Sequence, residues 1–395
     1  MKRTIRVLCG ALILAVSCGL AEPPVEDLPA GSQDLPAGRQ DLLDRGLWWL
    51  YHARYHQADE LFDQYCHAHP KDPAGYFYKT ANNWWELAQK LDFKLPDVEK
   101  QFEQNYEKTE EVAQAMADSA TDDKTKAQAL LYLGGAEGMK GRWLVTQKAW
   151  LEAYFRGKSG NHLLREAVEL DPKLYDANLG LGIYDYFTDT LPGVEGVLAY
   201  LFIHGDKNRG LQELQLAIDK GEHSRIEAMM FLIEIDMYDE NTPEKALPLA
   251  QELRKEFPKS PFMHLTEITV LYRMKKWPEM TQEAQTFLER SESEVPYYTT
   301  EGVRPARYCL GVAALYGQHD LDLAFAYMSQ LLKTIDSSRW VSYAYLRRGQ
   351  IYDLRGDRES ALRDYRTVLS RNDFWGSHDE AQRYIQEPFK FATSP

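Results

Sequence analysis

The stretch RRGQIYDLRGDRESALRDY, Arg347–Tyr365, sets small residues at Gly349, Gly356 and Ala361 and aromatics at Tyr352 and Tyr365 within a run crowded with charge. The same stations occur near the start of the chain. Gly46, Trp49, Ala58 and Phe62 reproduce the spacing of Gly349, Tyr352, Ala361 and Tyr365, and Ala53 stands where Gly356 does. Two antiparallel helices approach closely only where one presents Gly or Ala, and large rings fill the gaps beside such contacts. Pro70 follows Ala58, and Pro258 follows Ala246, at one common interval. A proline there closes the second helix, because it has no N–H and forces its predecessor out of helical geometry. Leu-Gly pairs at Leu133-Gly134, Leu181-Gly182 and Leu310-Gly311, and Ala167 followed by Leu170-Asp171-Pro172, extend the pattern.

This pattern resembles the tetratricopeptide repeat (TPR), a helix-turn-helix unit of 34 residues. The likeness is strongest over 41–72 and 342–373, good at 167–187 and around 246–258, and weak elsewhere. It implies an all-α fold, a right-handed superhelical solenoid of antiparallel helix pairs with irregular central repeats. Since one unit cannot bury its apolar face alone, roughly seven to nine pairs are expected to stack. Residues 73–125 read as helical with a break around Leu91 to Pro96, and 140–165 as an inserted helix between two halves of a unit.

The rest of the chain falls into three expected parts. Residues 1–21 read as a signal peptide, with Lys2, Arg3 and Arg6 before an apolar run, Val7 to Val16, too short to span a bilayer. Gly19-Leu20-Ala21 offers a general cleavage site, while Leu14-Ala15-Val16-Ser17-Cys18 looks like a bacterial lipobox in which Cys18 would carry lipid; both remain open. Either exit takes the protein out of the cytoplasm, to a periplasm or outer membrane. Residues 22–40, in which DLPAG occurs twice, are a flexible low-complexity linker. Residues 41–390 form the repeat domain, and its lone Cys66 and Cys309 make no disulfide framework.

Charge narrows the partners. The formal net charge is -14, and Lys2, Arg3 and Arg6 lie in the leader, which leaves -17 for the rest. Such a body repels phosphate backbones, so no nucleic-acid partner is expected, and membrane contact is expected only through an anchor at Cys18.

The middle of the chain, ANLGLGIYDYFTDTLPGVEGVLAYLFIHGDKNRGLQELQLAIDKG from Ala177 to Gly221, is similar to a segment of the eukaryotic inclusion-clearance TPR proteins and of bacterial exported relatives with no assigned chemistry. The shared features are Gly180 and Gly182, the Leu191-Pro192 break, and Gly205-Asp206 followed by Arg209-Gly210. The fold is carried over from that likeness, and the role is not. Asp206 makes sense as a helix N-cap, with Gly210 small for packing.

Catalytic signatures are missing. Arg156-Gly157-Lys158-Ser159-Gly160 contains the GKS of a phosphate loop, but Glu152 stands where its first glycine belongs and no strand precedes it. There is no G-x-S-x-G elbow or H-E-x-x-H helix. His52 and His56, near Cys66, His67 and His69, suggest zinc, but opposite ends of a helix pair would lie roughly 15–20 Å apart, so these read as surface histidines and no metal is expected. No enzyme activity and no cofactor are expected.

One constellation is unusual. The repeat register places Glu137 and Asp185 three residues after Gly134 and Gly182, the interior station that Trp49 and Tyr352 hold. Two interior acids are costly unless paired. Arg142, Arg156, Lys207 and Arg209 are the nearest partners in sequence. The set forms either a structural ion-pair network or a polar pocket for a small molecule or lipid beneath Trp143, Trp150, Tyr154 and Phe155.

The resemblance further implies that the first helix of each pair lines a concave groove. Leu43, Leu47, Leu50, Tyr51, Ile183, Tyr186, Phe187, Tyr308, Val312, Tyr316, Tyr343 and Leu346 would then form an apolar lining for a peptide or partner helix. Exposure of Trp84 and Trp85 would strengthen that expectation and their burial would weaken it. The expected function is a non-enzymatic protein-interaction scaffold of the bacterial cell envelope.

Overall fold

The computed structural model describes residues 41–90, 94–190, 205–294, 298, 302–333 and 336–391. The expected leader, the linker, Cys18 and the Leu191-Pro192 break lie outside them. Within the described residues the regular structure is helical: α1 (Leu42–Tyr51), α2 (Tyr55–Ala68), α3 (Ala74–Gln89), α4 (Pro96–Ser119), α5 (Asp123–Thr146), α6 (Trp150–Leu170), α7 (Ala177–Asp189), α8 (Lys207–Lys220) and α9 (Arg225–Glu234). Then come α10 (Pro243–Glu256), α11 (Pro261–Arg273), α12 (Trp277–Ser293), α13 (Val303–Val312), α14 (Leu321–Leu331), α15 (Arg339–Leu354), α16 (Arg358–Leu369) and α17 (Ser377–Gln386). Consecutive helices pair from α1/α2 through α15/α16, and α17 covers the end of the stack, its Ala381 packed with Leu346, Ala361 and Tyr365. The protein is an all-α, TPR-like solenoid of helix pairs.

Small residues bring the pairs together. A Cβ on Gly46 would overlap the Phe62 ring, and one on Gly349 would sit 2.5 Å from the Tyr365 ring. Ala58 and Ala361 are fully buried in the second helices. The central pairs use glycine on both sides of the crossing. A Cβ on Gly134 would lie 2.9 Å from the Gly160 carbonyl oxygen, and one on Gly182 would lie 2.8 Å from that of Gly210. Helix ends follow the expected chemistry. Pro70, Pro172 and Pro258 each come two residues after a helix, and Asp206 caps α8 by accepting from the N–H groups of Asn208 at 2.9 Å and Arg209 at 3.0 Å.

The turn within a pair has its own signature. Ala53, Lys148, Asn241, Lys275, His319 and Gly356 all have positive φ, and each stands between the two helices of one pair. A left-handed residue ends the first helix and turns the chain back. Only Gly356 among them adopts that conformation without steric cost. Lys275 follows Asn241 at the 34-residue repeat period.

The expectation of an inserted helix over 140–165 is corrected. The α5 helix runs through to Thr146 and α6 starts at Trp150, so the third pair is simply long, and the first turns of α6 extend past its neighbours' cover.

The first half of the array folds against the second. The Trp85 indole N–H on α3 donates to Glu227 Oε1 on α9 at 2.9 Å, and its ring meets Phe262 on α11 at 5.5 Å. The Arg142 guanidinium on α5 lies between Trp84 on α3, at 4.5 Å, and Phe231 on α9, at 4.8 Å. First helices of the early pairs thus press directly on first helices of the fifth and sixth pairs. The main core fills the space where an open groove was expected.

Candidate functional site

The two interior acids lie at equivalent crossings and have separate partners. On α5, Glu137 faces α6 and α4. Its Oε1 accepts from Arg156 Nη1 at 2.8 Å and from the Tyr106 hydroxyl at 3.2 Å, while Arg156 also donates to the Tyr106 oxygen at 2.7 Å. Burial pushes the Glu137 carboxyl above its ordinary value, with Arg156 acting in the opposite direction. On α7, Asp185 is enclosed by guanidinium groups from two helices. Arg165 of α6 donates to Oδ2 at 2.6 Å, and Arg209 of α8 donates to both oxygens, at 2.8 Å to Oδ1. Glu213 joins this set through Arg165 at 3.1 Å. Burial, then the charge of Asp185, pushes Glu213 up to about 7.

Of the partners expected from sequence, Arg156 and Arg209 are found in place. Arg142 is instead stacked on Trp84 and Phe231, and Lys207 pairs with Glu240 at 2.7 Å. Arg165, Glu213 and Tyr106 were missed. They come from neighbouring helices whose rotation the repeat register does not specify, although Arg165 lies five residues after the crossing glycine Gly160 and Glu213 three after Gly210. The geometry is that of two ion-pair locks at the Gly-Gly crossings. Among the described residues the expected aromatic lid does not form: Trp143 is buried, while Trp150, Leu151 and Phe155 are exposed. A shallow hollow of about 300 Å³ lies elsewhere, on α14, between Leu323, Tyr327 and Lys333.

The expected groove lining is also corrected. Leu43, Leu47, Leu50, Tyr51, Tyr186, Phe187, Tyr308, Val312 and Leu346 are buried, most of them in the main core where inner helices meet, and Tyr186, Phe187 and Leu346 against the second helix of their own pair and the helix that follows; Ile183, Tyr316 and Tyr343 are half-buried. Trp84 and Trp85 are both buried. Tyr308 and Tyr316 instead surround a buried cation. Arg347 donates to Tyr308 Oη at 3.0 Å, to Tyr316 Oη at 3.2 Å and to Glu380 at 3.1 Å.

The histidines divide differently from the surface expectation. His56 is exposed beside Glu60 at 3.4 Å, but His52 is buried, its Nδ1 2.8 Å from the Trp48 carbonyl oxygen and its ring against Trp48. Among the described residues, the group with metal-ligand spacing is Asp176, Glu222 and His223, whose ligand atoms lie within 4.8 Å of one another. Asp176 Oδ1 there already accepts from the N–H groups of His223 and Ser224 and from the Ser224 hydroxyl, at 3.1, 3.0 and 2.7 Å, which shapes the start of α9.

No helix of the described residues is long and apolar enough to cross a membrane. No family model matches the chain, and no curated protein matches it. Solved structures do. A human IFIT1 dimer with PPP-AAAA is similar at 13% identity and a TM-score of 0.41, over 87% of this chain and 72% of that one. Yeast Tom70 is similar at 11% identity and a TM-score of 0.35, over 88% of both chains. The P58(IPK) TPR domain is similar at 14% identity and a TM-score of 0.26, over 88% of this chain and 98% of that one. What those proteins bind is not carried over at such scores, and the TPR-like architecture rests on this chain's own helix pairs.

Proposed function

We propose that this chain is a non-enzymatic protein-interaction scaffold that holds its partner on the outer face of α6 rather than in a concave groove. One observation carries the reading. Leu151 is 72% exposed, Phe155 58% and Trp150 39%, whereas most other large apolar side chains are covered. Leu151 and Phe155 are four residues apart and share one helix face, with Trp150 and Tyr154 beside them. A cluster of this kind on an acidic chain suits an apolar helix or segment of another protein. The pairing of Glu137 and Asp185 with arginines supports a structural role for both acids and removes the strongest candidates for chemistry. With the leader read from sequence, the scaffold belongs to the bacterial cell envelope, anchored through Cys18 or released after Ala21.

The test is a pull-down from membranes with the full chain and with a Leu151→Glu/Phe155→Glu variant. A stoichiometric protein partner is expected with the first and lost with the second, while the variant melts within about 2 °C of the parent because both sites are exposed. Retention of the partner by the variant rejects this surface. A bound small molecule or lipid in a native mass spectrum, with no protein partner, rejects the scaffold reading.

A further inference from the structure

The residues after α17 carry an arrangement that the scaffold reading does not use. Glu387 is extended, with φ -132° and ψ 123°, and the chain then runs through Pro388, Phe389, Lys390 and Phe391 back across the ends of α15 and α13. In an extended chain, side chains two apart share a side. Phe389 and Phe391 accordingly both meet the Tyr316 ring, at 6.2 and 6.4 Å between centroids, and Lys390 is exposed. Phe391 also stands edge-on to His319 at 4.4 Å, and Phe389 to Tyr384 at 5.3 Å. The Phe389 N–H donates to Asp353 Oδ2 at 2.8 Å.

The receiving surface is also oriented by residues outside the segment that sits on it. The Asp353 side chain is fully buried, and it is oriented by Arg358 at 2.8 Å and by the Tyr365 hydroxyl at 2.8 Å. Tyr316 is fixed by donating to Gln350 at 2.6 Å, and by Arg347. A preset carboxylate acceptor for one backbone N–H, flanked by aromatic rings at a two-residue spacing, is a recognition geometry for an extended peptide with Phe at alternate positions. Phe389 and Phe391 are only half-buried, and among the described residues one backbone hydrogen bond joins them to the slot beside those ring contacts. Such a contact is exchangeable.

We propose that the slot formed by Tyr316, His319, Tyr384 and Asp353 is a binding site for an extended Phe-x-Phe segment of a partner protein, occupied within this chain by its own Pro388–Phe391. The tethered segment acts at a high effective concentration, so it holds off weak partners and yields to one that binds more tightly or through a second contact. This site is remote in sequence from α6 and does not depend on the scaffold surface assigned there.

The probe is a fluorescein-labelled peptide Glu-Pro-Phe-Lys-Phe, matching Glu387–Phe391. It is titrated by fluorescence anisotropy into the full chain and into a full-length Phe389→Ala/Phe391→Ala variant. The variant is expected to bind the peptide at least about tenfold more tightly than the parent, because the internal competitor has gone. A peptide with both phenylalanines changed to alanine is expected not to bind. A variant that melts with the parent yet takes up no peptide overturns the proposal. Hydrogen exchange on the unaltered chain tests it without any substitution. The Phe389 amide is expected to exchange at least about tenfold faster than the α17 amides, by local release. Exchange at the α17 rate would show a permanent clasp and would equally overturn it.

Discussion

The Ser260 hydroxyl, at the start of α11, donates to the Tyr51 carbonyl oxygen, at the end of α1, over 2.7 Å. The bond joins the first helix pair to the sixth and has no place in an open array, where each repeat touches only its neighbours. Tyr51 also meets Phe257 at 5.6 Å, and Trp85 bridges the same two layers. Trp85→Ala should therefore cost about 3–5 kcal/mol, as expected for loss of a buried aromatic. Hydrogen exchange should accelerate in both α1–α3 and α9–α11. Acceleration confined to the first group would mean that the layers are not coupled.

The paired acids give a second prediction. Asp185→Asn leaves Arg165 and Arg209 facing a neutral amide, and removing one partner of a buried pair costs about 3–5 kcal/mol. Both arginines are partly exposed, so the expected loss is nearer 2–3 kcal/mol. Arg209→Met should cost less, because Arg165 still holds the carboxylate. Urea denaturation of the two variants decides it. If Asp185→Asn proves neutral while abolishing ligand or partner binding, the acid belongs to a functional site instead.

Two groups give opposing responses to pH. Glu213 titrates near 7 in the folded chain, above the ordinary carboxyl value of 4.5, so stability falls as pH rises from about 4.5 to 7. His264 is buried between Tyr298 Oη and Glu283, each 3.1 Å away, and burial pushes it down to about 4 from an ordinary 6.5. Its contribution is complete above 6.5 and is lost as pH falls towards 4. The two slopes partly cancel in the parent. Glu213→Gln should remove the falling component and leave a steeper loss of stability on acidification, by roughly 1–3 kcal/mol between pH 7 and 4.5. Melting curves across that range read it directly, and an unchanged pH profile would count against the raised Glu213 carboxyl.

Three glycines should respond differently to alanine. At Gly349 the added methyl meets the Tyr365 ring, and overpacking of this kind costs about 1–3 kcal/mol. At Gly356 there is open space, but φ is +77°, so the expected cost is about 1 kcal/mol of backbone strain. Gly138 on α5 has no atom within 4 Å of the added carbon, so alanine there should stabilise by up to about 1 kcal/mol through helix propensity. Thermal melts rank the three, and a different order would show that close approach is not what these stations supply.

The helix pairs could be read from residue order because their determinants are local. Gly46 and Gly349 mark the crossings, Ala58 and Ala361 mark the buried second helices, and Pro70 and Pro258 mark the helix ends. Asp206 could be named as a cap because the N–H groups it accepts from are its immediate neighbours. Ala53 was matched with Gly356 only as a small station, and the left-handed conformation of both came from the structure.

Contacts between distant pairs could not be read in this way. The superhelical path depends on small rotations summed over many repeats, so neither the meeting of Trp85 with Glu227 nor the burial of Leu43, Tyr51 and Tyr308 follows from any one unit. Arg165 reaches Asp185 from another pair, and Phe391 reaches His319 across the end of the array, for the same reason. Local spacing specifies how two helices pair, whereas the accumulated curvature of the whole stack decides which faces are covered and which remain open to a partner.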